Sequence, residues 1–413
     1  MFLKNKKFYF YLVLVLFLIF QCIVAIKHSW DFECYIKASK RILNNEPLYI
    51  KEDIPYVYPP FLAFALIPLS YLNVTFLKGL WFLINTFLIY YAVVLMEKTT
   101  DKDYNKSFYL YFLSLFFTLR FIMDNYSLGQ INILIMFLTV LTLYFYVNGK
   151  DIYVGLILGI VISIKLTPFL ILLYFLYKGK FRIILLTFIS LIFFLTIPSI
   201  LIGIKKNVYY IFQYYNVISN FTDTTINNQS LYITIKRLLS PIPPWSNLYI
   251  NIANLNEFQI KLITILTFGI VILFLCYLFR FRLLNRKENI VFYEYSLIIL
   301  SMLLLSPLSR KAHFILILIP QFYLFHYILK NKNLPYIILL KILLGGSFLL
   351  NTATSEIVVI FFTFIYNVLT GSEVNGKDLS DVFESYSCVT IGTLLIFVSL
   401  CIIHIKSIKK YQF

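Results

Sequence analysis

The sequence predicts an all-α fold, a polytopic bundle of transmembrane helices that crosses the bilayer roughly 11–13 times. Three observations predict it. Hydrophobic residues make up 60% of the 413, and mean hydropathy is +0.83. Charged residues are only 13%, against about a quarter in a soluble chain. The apolar residues also gather into runs near the about 20 residues a spanning helix needs, and no polar stretch is long enough to be a soluble domain.

The first candidate span is 8–26, behind Lys4, Lys6 and Lys7. A basic stretch before an apolar run also describes a secretory signal, but no small-residue cleavage pattern follows, so a retained span is expected. Residues 59–72 are apolar but short and read as a juxtamembrane or re-entrant segment. Further runs lie at 74–96, 108–123, 131–147, 152–164, 169–177, 183–204, 260–279, 290–305, 314–329, 336–350, 357–369 and 389–405. The run 169–177 cannot cross alone, and with Pro168 before it forms half of one bent or broken element. The whole chain, 1–413, reads as a single membrane-embedded domain, with a first outer loop at 28–58 and a long one at 205–257.

The net charge of +17 does not indicate a nucleic-acid partner, because Lys and Arg stand in short clusters between apolar runs. That is the pattern that sets membrane orientation. With residues 4–7 in the cytoplasm and sides alternating, the connections 98–106, 148–151, 178–182, 280–287 and 330–332 fall inside. The chain is therefore expected in the cell membrane with a cytoplasmic N-terminus. The acidic stretch 373–384 prefers outside and Lys406, Lys409 and Lys410 prefer inside. Alternation satisfies both only if one of the two runs within 336–369 is a hairpin that does not cross. The 33 Tyr and 42 Phe suit a membrane interface, and also suit an AT-rich genome. Five cysteines and four histidines are scattered without metal or disulfide spacing.

The same alternation sends 28–58, 124–130, 165–168, 205–257 and 306–313 to the outer face. Asp31, directly after the first span, is placed to take a proton from an attacking hydroxyl, or is simply a solvated loop carboxylate. Glu33 stands two residues on, where the pair could share an ion. Gln130 and Asn132 can hold a sugar or phosphate, or bond neighbouring helices. Lys165, before the helix-breaking Pro168, is either functional or a snorkelling lysine. Asn228 and Gln229 precede Lys236 and Arg237 in the long loop. Arg310, Lys311 and His313 cluster on the outer side against the positive-inside trend, so they are expected to meet an anion, a substrate phosphate or lipid headgroups. Asp101-Lys-Asp103 has the spacing of a metal-binding Asp-x-Asp, but it is a lone pattern in a cytoplasmic loop and is set aside. There is no phosphate-binding glycine loop and no nucleophile elbow.

Taken in order, these residues resemble glycosyltransferase family 87, within the membrane-embedded C-type glycosyltransferases. The resemblance runs from about Asp31 to Pro320. It is carried by Asp31, Tyr35, Ala38, Leu48-Tyr49, Tyr58-Pro59-Pro60 and Pro68, then Gly129-Gln130-x-Asn132, Lys165-Leu-Thr-Pro168, Asn228-Gln229-Ser230-Leu231 and Ser306-Pro307 with His313 and Pro320. The chain departs from the family pattern at Arg310 and Ala312, where an aromatic and a second histidine are usual. The resemblance implies a C-type bundle with Asp31 as general base. It implies a hexose donor, mannose by family analogy, carried on a polyprenyl phosphate. It also implies a lipid or glycan acceptor on the extracytoplasmic face, inversion at the anomeric carbon and no cofactor, divalent metal use being open. Lys165, Arg237, Arg310 and His313 would balance charge on the leaving phosphate. Gln130, Asn132, Asn228 and Gln229 would hold the sugar or shape the pocket, and Glu33, Tyr35 and Tyr58 complete the substrate-binding set. The alternatives are a flippase for lipid-linked sugars, disfavoured because no inverted repeat is visible, and an oligosaccharide ligase or polymerase.

Overall fold

The computed structural model describes residues 2–52, 54–100, 108–220, 223–242, 248–280, 288–371 and 374–411. Helix α1 (Phe2–Lys27), apolar beyond its basic first turns, opens the bundle. Ser29 then takes a left-handed conformation (φ 35°, ψ 45°), and α2 (Trp30–Leu43) departs at 47°. The segment expected as loop 28–58 is thus partly helical. Phe32, Tyr35, Ile36 and Ile42 are buried on one face, while Lys37 and Lys40 are exposed on the other. Five charged residues in fourteen keep α2 out of hydrocarbon, so it lies at the end of the bundle rather than across it. The run expected to be re-entrant becomes α3 (Pro60–Ala65), with proline in its first turn, and a 3-10 turn, Ile67–Tyr71.

The Asn73 side chain caps α4 (Val74–Lys98) by accepting from the Thr75 and Phe76 amides. Next come α5 (Phe108–Leu128), α6 (Asn132–Val147), α7 (Asp151–Ile164), α8 (Phe169–Tyr177), α9 (Phe181–Thr196) and α10 (Ser199–Ile202). α7 and α9 pack closely, because a Cβ on Gly159 would stand 2.4 Å from that of Ser190. Two amphipathic helices, α11 (Ile204–Asn220) and α12 (Leu231–Leu239), occupy what reads as the long outer loop. α13 (Glu257–Leu278) begins with an Asn256–Gln259 capping box. α14 (Glu288–Leu305), the 3-10 helix Lys311–Ile317 and α15 (Leu318–Lys330) form the centre, where Phe292, Phe314 and Phe322 are fully buried.

α16 (Ile337–Ala353) and α17 (Glu356–Thr370) meet at 84°, so only one of them can run along the membrane normal. α18 (Gly376–Ser385) returns to the end of the bundle that holds α2, since Glu384 pairs with Lys311 there at 2.5 Å. α19 (Cys388–Tyr411) then leads away.

Every expected span is helical over most of its length, with 183–204 divided between α9, α10 and the start of α11. Among the described residues, five helices are long and apolar enough to cross a membrane, or up to seven with each bent pair taken as one. The runs at 131–147, 152–164 and 290–305 form shorter helices of 10–17 residues. Length alone therefore gives fewer crossings than the hydropathy of the runs, because breaks such as the one at Pro168 divide the apolar sequence. The Asp101-Lys-Asp103 pattern lies outside the described residues.

Candidate active site

Asp31 stands in the first turn of α2, and Gly129 brings its main partner to it. Gly129 closes α5 with φ 68°, and a Cβ there would sit 2.8 Å from Phe32 Cβ and 2.9 Å from Ser29 Cβ. Only glycine allows both the left-handed turn and that approach. The Ser29 amide donates to the Ser127 carbonyl at 2.8 Å, and Trp81 Nε1 donates to the Gly129 carbonyl at 3.1 Å. The next residue, Gln130, is thereby held against α2.

From there a chain of polar side chains runs inward. Lys165 Nζ donates to Asn132 Oδ1 at 2.6 Å, Asn132 Nδ2 donates to Gln130 Oε1 at 3.1 Å, and Gln130 Nε2 donates to Asp31 Oδ2. An ammonium can only donate and a carboxylate can only accept, so the ends orient both amides. Tyr35 OH donates to Tyr58 OH at 3.1 Å, and Tyr58 OH donates to Gln130 Oε1 at 3.5 Å. The Lys165 ammonium also stands 5.9 Å from the Tyr58 ring centroid. Burial pushes the Asp31 carboxyl above its usual range, while the Gln130 hydrogen bond and then the Arg310 and Lys165 charges pull it back. The Cys34 thiol is pushed up to about 12 by burial and the Asp31 charge.

Asp31, Tyr35, Tyr58, Gln130, Arg310 and His313 line one polar cavity of about 510 Å³. A second cavity of about 620 Å³ is mostly apolar, walled by residues such as Leu170, Leu173, Met302 and Leu305, with Lys165 and Lys236 at its polar margin. Val57, Tyr58, Leu308 and His313 line both, so the two cavities share a wall.

The other candidates do different work. Glu33 turns to Lys78, pairing at 2.5 Å, while Lys78 Nζ also donates to the His28 carbonyl at 2.9 Å. Asn228 Nδ2 donates to the Asp223 and Pro307 carbonyls at 2.9 and 3.1 Å, and its Oδ1 accepts from the Ser230 and Ser309 amides. Gln229 Nε2 donates to the Ile226 and Glu384 carbonyls at 2.7 and 2.9 Å. Arg237 is 3% exposed, and its guanidinium donates to the Thr225, Asn228 and Glu384 carbonyls and to Ser387 Oγ. These three residues fasten the 223–239 segment to the 306–310 stretch and to α18; none of them lines either cavity. Arg310, with its side chain 48% exposed, faces the polar cavity and pairs through Nε with Asp223 Oδ2 at 2.9 Å.

Sequence reasoning missed Asp223, and also Arg120 and Asp124, which with Lys311 of the expected cation cluster form the polar cavity's far wall, backed by Glu384. Arg120 inside an apolar run, four residues before Asp124, was the available signal. Among the described residues no group of three or more His, Cys, Asp or Glu is placed to hold a metal ion.

A family model described as Glycosyltransferase family 87 matches residues 56–307, more than half of the chain. The matched region contains Tyr58, Gln130, Asn132, Lys165, Asn228, Gln229 and Arg237; Asp31, Glu33, Tyr35, Arg310 and His313 lie outside it. No curated protein and no solved structure matches the chain.

Proposed function

The chain belongs to glycosyltransferase family 87, and on that premise we propose that it moves one hexose, mannose by family analogy, from a polyprenyl-phosphate sugar to a hydroxyl acceptor at the extracytoplasmic face of the cell membrane. The observation that carries this reading is the meeting of a polar and an apolar cavity at Tyr58 and His313, with Asp31 on the polar side and Lys165 on the apolar side. A lipid-linked sugar has that same division. The polyprenyl chain would lie along Leu170, Leu173, Met302 and Leu305, with its phosphate at the Lys165 and His313 end. The sugar would pass the shared wall toward Asp31.

In the reaction the acceptor oxygen attacks the anomeric carbon from the side opposite the phosphate. Asp31 takes the hydroxyl proton as the new C–O bond forms. The bond from the anomeric carbon to the phosphate oxygen breaks, its electrons leave on the phosphate, and the configuration inverts. Lys165, His313 and Arg310 offset the charge that develops there. Gln130, Asn132 and Tyr58 act by aiming and stabilising the Asp31 carboxylate, a role the hydrogen-bond chain supports over direct sugar binding. Asn228, Gln229 and Arg237 hold the outer segment that carries Asp223 and, through it, Arg310.

The test is a donor panel with purified protein in liposomes and a crude membrane lipid extract as acceptor. Radiolabel is expected to move from polyprenyl-phosphate mannose and to stay on a nucleotide sugar. Transfer from the nucleotide sugar alone would refute the lipid-donor proposal, and passage of intact donor across the bilayer without transfer would favour a flippase.

A further inference from the structure

A third cavity, about 590 Å³, lies between α16, α17 and α18 and is not used by the reaction described. Its walls are hydrocarbon, from Leu349, Val358, Val359, Phe362, Leu379 and Phe383. Gly376 lets α18 lie directly on α17, since a Cβ there would be 2.6 Å from Ile360 Cα. One turn of chain divides this groove from the polar cavity. Residues 354–357 line the polar cavity, while Thr352, Ala353, Val358 and Val359, on either side of them, line the groove. The turn exists because the chain swings through 84° between α16 and α17. Arg120 fixes it, donating from Nε to Thr354 Oγ1 at 3.0 Å and from Nη2 to the Thr354 carbonyl at 2.7 Å.

We propose that the groove is the acceptor's tail site, and that the acceptor is therefore an amphiphile: a lipid whose uncharged, hydroxyl-bearing head reaches Asp31 through the polar cavity while its hydrocarbon chain lies between α16, α17 and α18. This rests on the glycosyl-transfer reading. If the donor occupies the apolar cavity beyond Tyr58 and His313, a second lipid substrate needs its own apolar site, and the groove meets the polar cavity at its other wall. The head end suits hydroxyls better than an anion. Arg120 pairs with Asp124, and Glu384 sits 2.5 Å from Lys311 and 3.7 Å from Arg120, so two cations and two carboxylates cancel. Glu356, also lining that wall, adds one more carboxylate. A tail leaving the bilayer for the groove exchanges one hydrocarbon surface for another, so the site supplies orientation more than affinity. Most of this wall, Lys311 with α16, α17 and α18, lies beyond the residues that the family model matches.

The experiment uses full-length protein in liposomes and a hexadecyl glucoside carrying a photoreactive diazirine near the end of its chain. After irradiation, labelled peptides are mapped by mass spectrometry. Label is expected in residues 349–383, lost in the presence of excess unlabelled hexadecyl glucoside, and lost in either Val359→Trp or Leu379→Trp, which fill the groove from opposite walls. A diazirine hexadecane without the sugar head is expected to label this segment weakly. Equal labelling by the headless probe would overturn the proposal by identifying an ordinary lipid crevice, as would label concentrated on residues 165–173. Head-dependent labelling without any sugar transfer from the donor panel would keep the groove as a lipid site and overturn the transfer reading instead.

Discussion

Replacing Gln130 with Ala separates the two roles its carboxamide can have, holding Asp31 or holding the sugar. The change removes the donor to Asp31 Oδ2 and the acceptor that meets Asn132 at 3.1 Å and Tyr58 at 3.5 Å. A hydrogen bond to a charged group contributes about 1.5–3 kcal/mol. All of that favours the ionised carboxylate, and 1.36 kcal/mol corresponds to a factor of ten. Burial already raises the Asp31 carboxyl and Gln130 opposes the rise, so the substitution raises it further. Only the deprotonated form can accept the acceptor's proton. Activity therefore falls as pH drops through the carboxyl's raised value, and the acid limb of the rate profile moves to higher pH in the variant. On that limb the variant is expected to be slower than wild type by about ten- to a hundredfold, approaching wild type at alkaline pH. The assay is initial-rate sugar transfer across a pH series at saturating donor. An acid limb in its original place, with a uniform loss at every pH or a raised KM for donor, would refute the positioning role and return Gln130 to the sugar.

Two further substitutions test the division between scaffold and site. Arg237→Met removes the guanidinium's charge-assisted hydrogen bonds to the buried carbonyls of Thr225, Asn228 and Glu384 and to Ser387 Oγ; it is expected to destabilise the protein by about 2–4 kcal/mol, read as a lower melting temperature, with KM unchanged in the protein that remains folded. Arg310→Ala removes a half-exposed guanidinium from Asp223, whose buried carboxylate keeps the Thr225 amide and hydroxyl as donors, so its melting temperature should fall less than that of Arg237→Met while transfer falls. The reverse outcome for either residue would exchange the roles assigned to them.

The helices were legible in the sequence because lipid imposes a simple rule: apolar runs become helices that satisfy their own backbone. Each run from 8–26 to 389–405 is helical over most of its length, 183–204 with a break before Ser199. α2, α11, α12 and α18 were not, because their stripes are amphipathic and charged and resemble loop sequence until the packed face is known. Convergence was also legible, since side alternation alone brought Asp31, Gln130, Lys165 and Arg310 to one face. What the sequence could not show is how polar side chains spend their hydrogen bonds. Asn228, Gln229 and Arg237 look like ligand groups in a polar motif, yet each is consumed by backbone carbonyls. Glu33 looks like a second carboxylate beside Asp31, but two residues along a helix are about half a turn, and that sends it to Lys78. The α16–α17 bend, with no proline to announce it, was foreshadowed only by the charge conflict at the end of the chain.

The most direct measurement is transfer of radiolabel from polyprenyl-phosphate mannose by wild type and by Asp31→Asn, at equal folded concentration and with a crude lipid extract as acceptor. The asparagine keeps the shape of the side chain and cannot accept the proton. Label is expected on a new lipid with wild type and at background with the variant, while both retain the donor to the same extent. Equal transfer by the two proteins would contradict the assignment of Asp31 as the base and, with it, the mechanism built around this cavity.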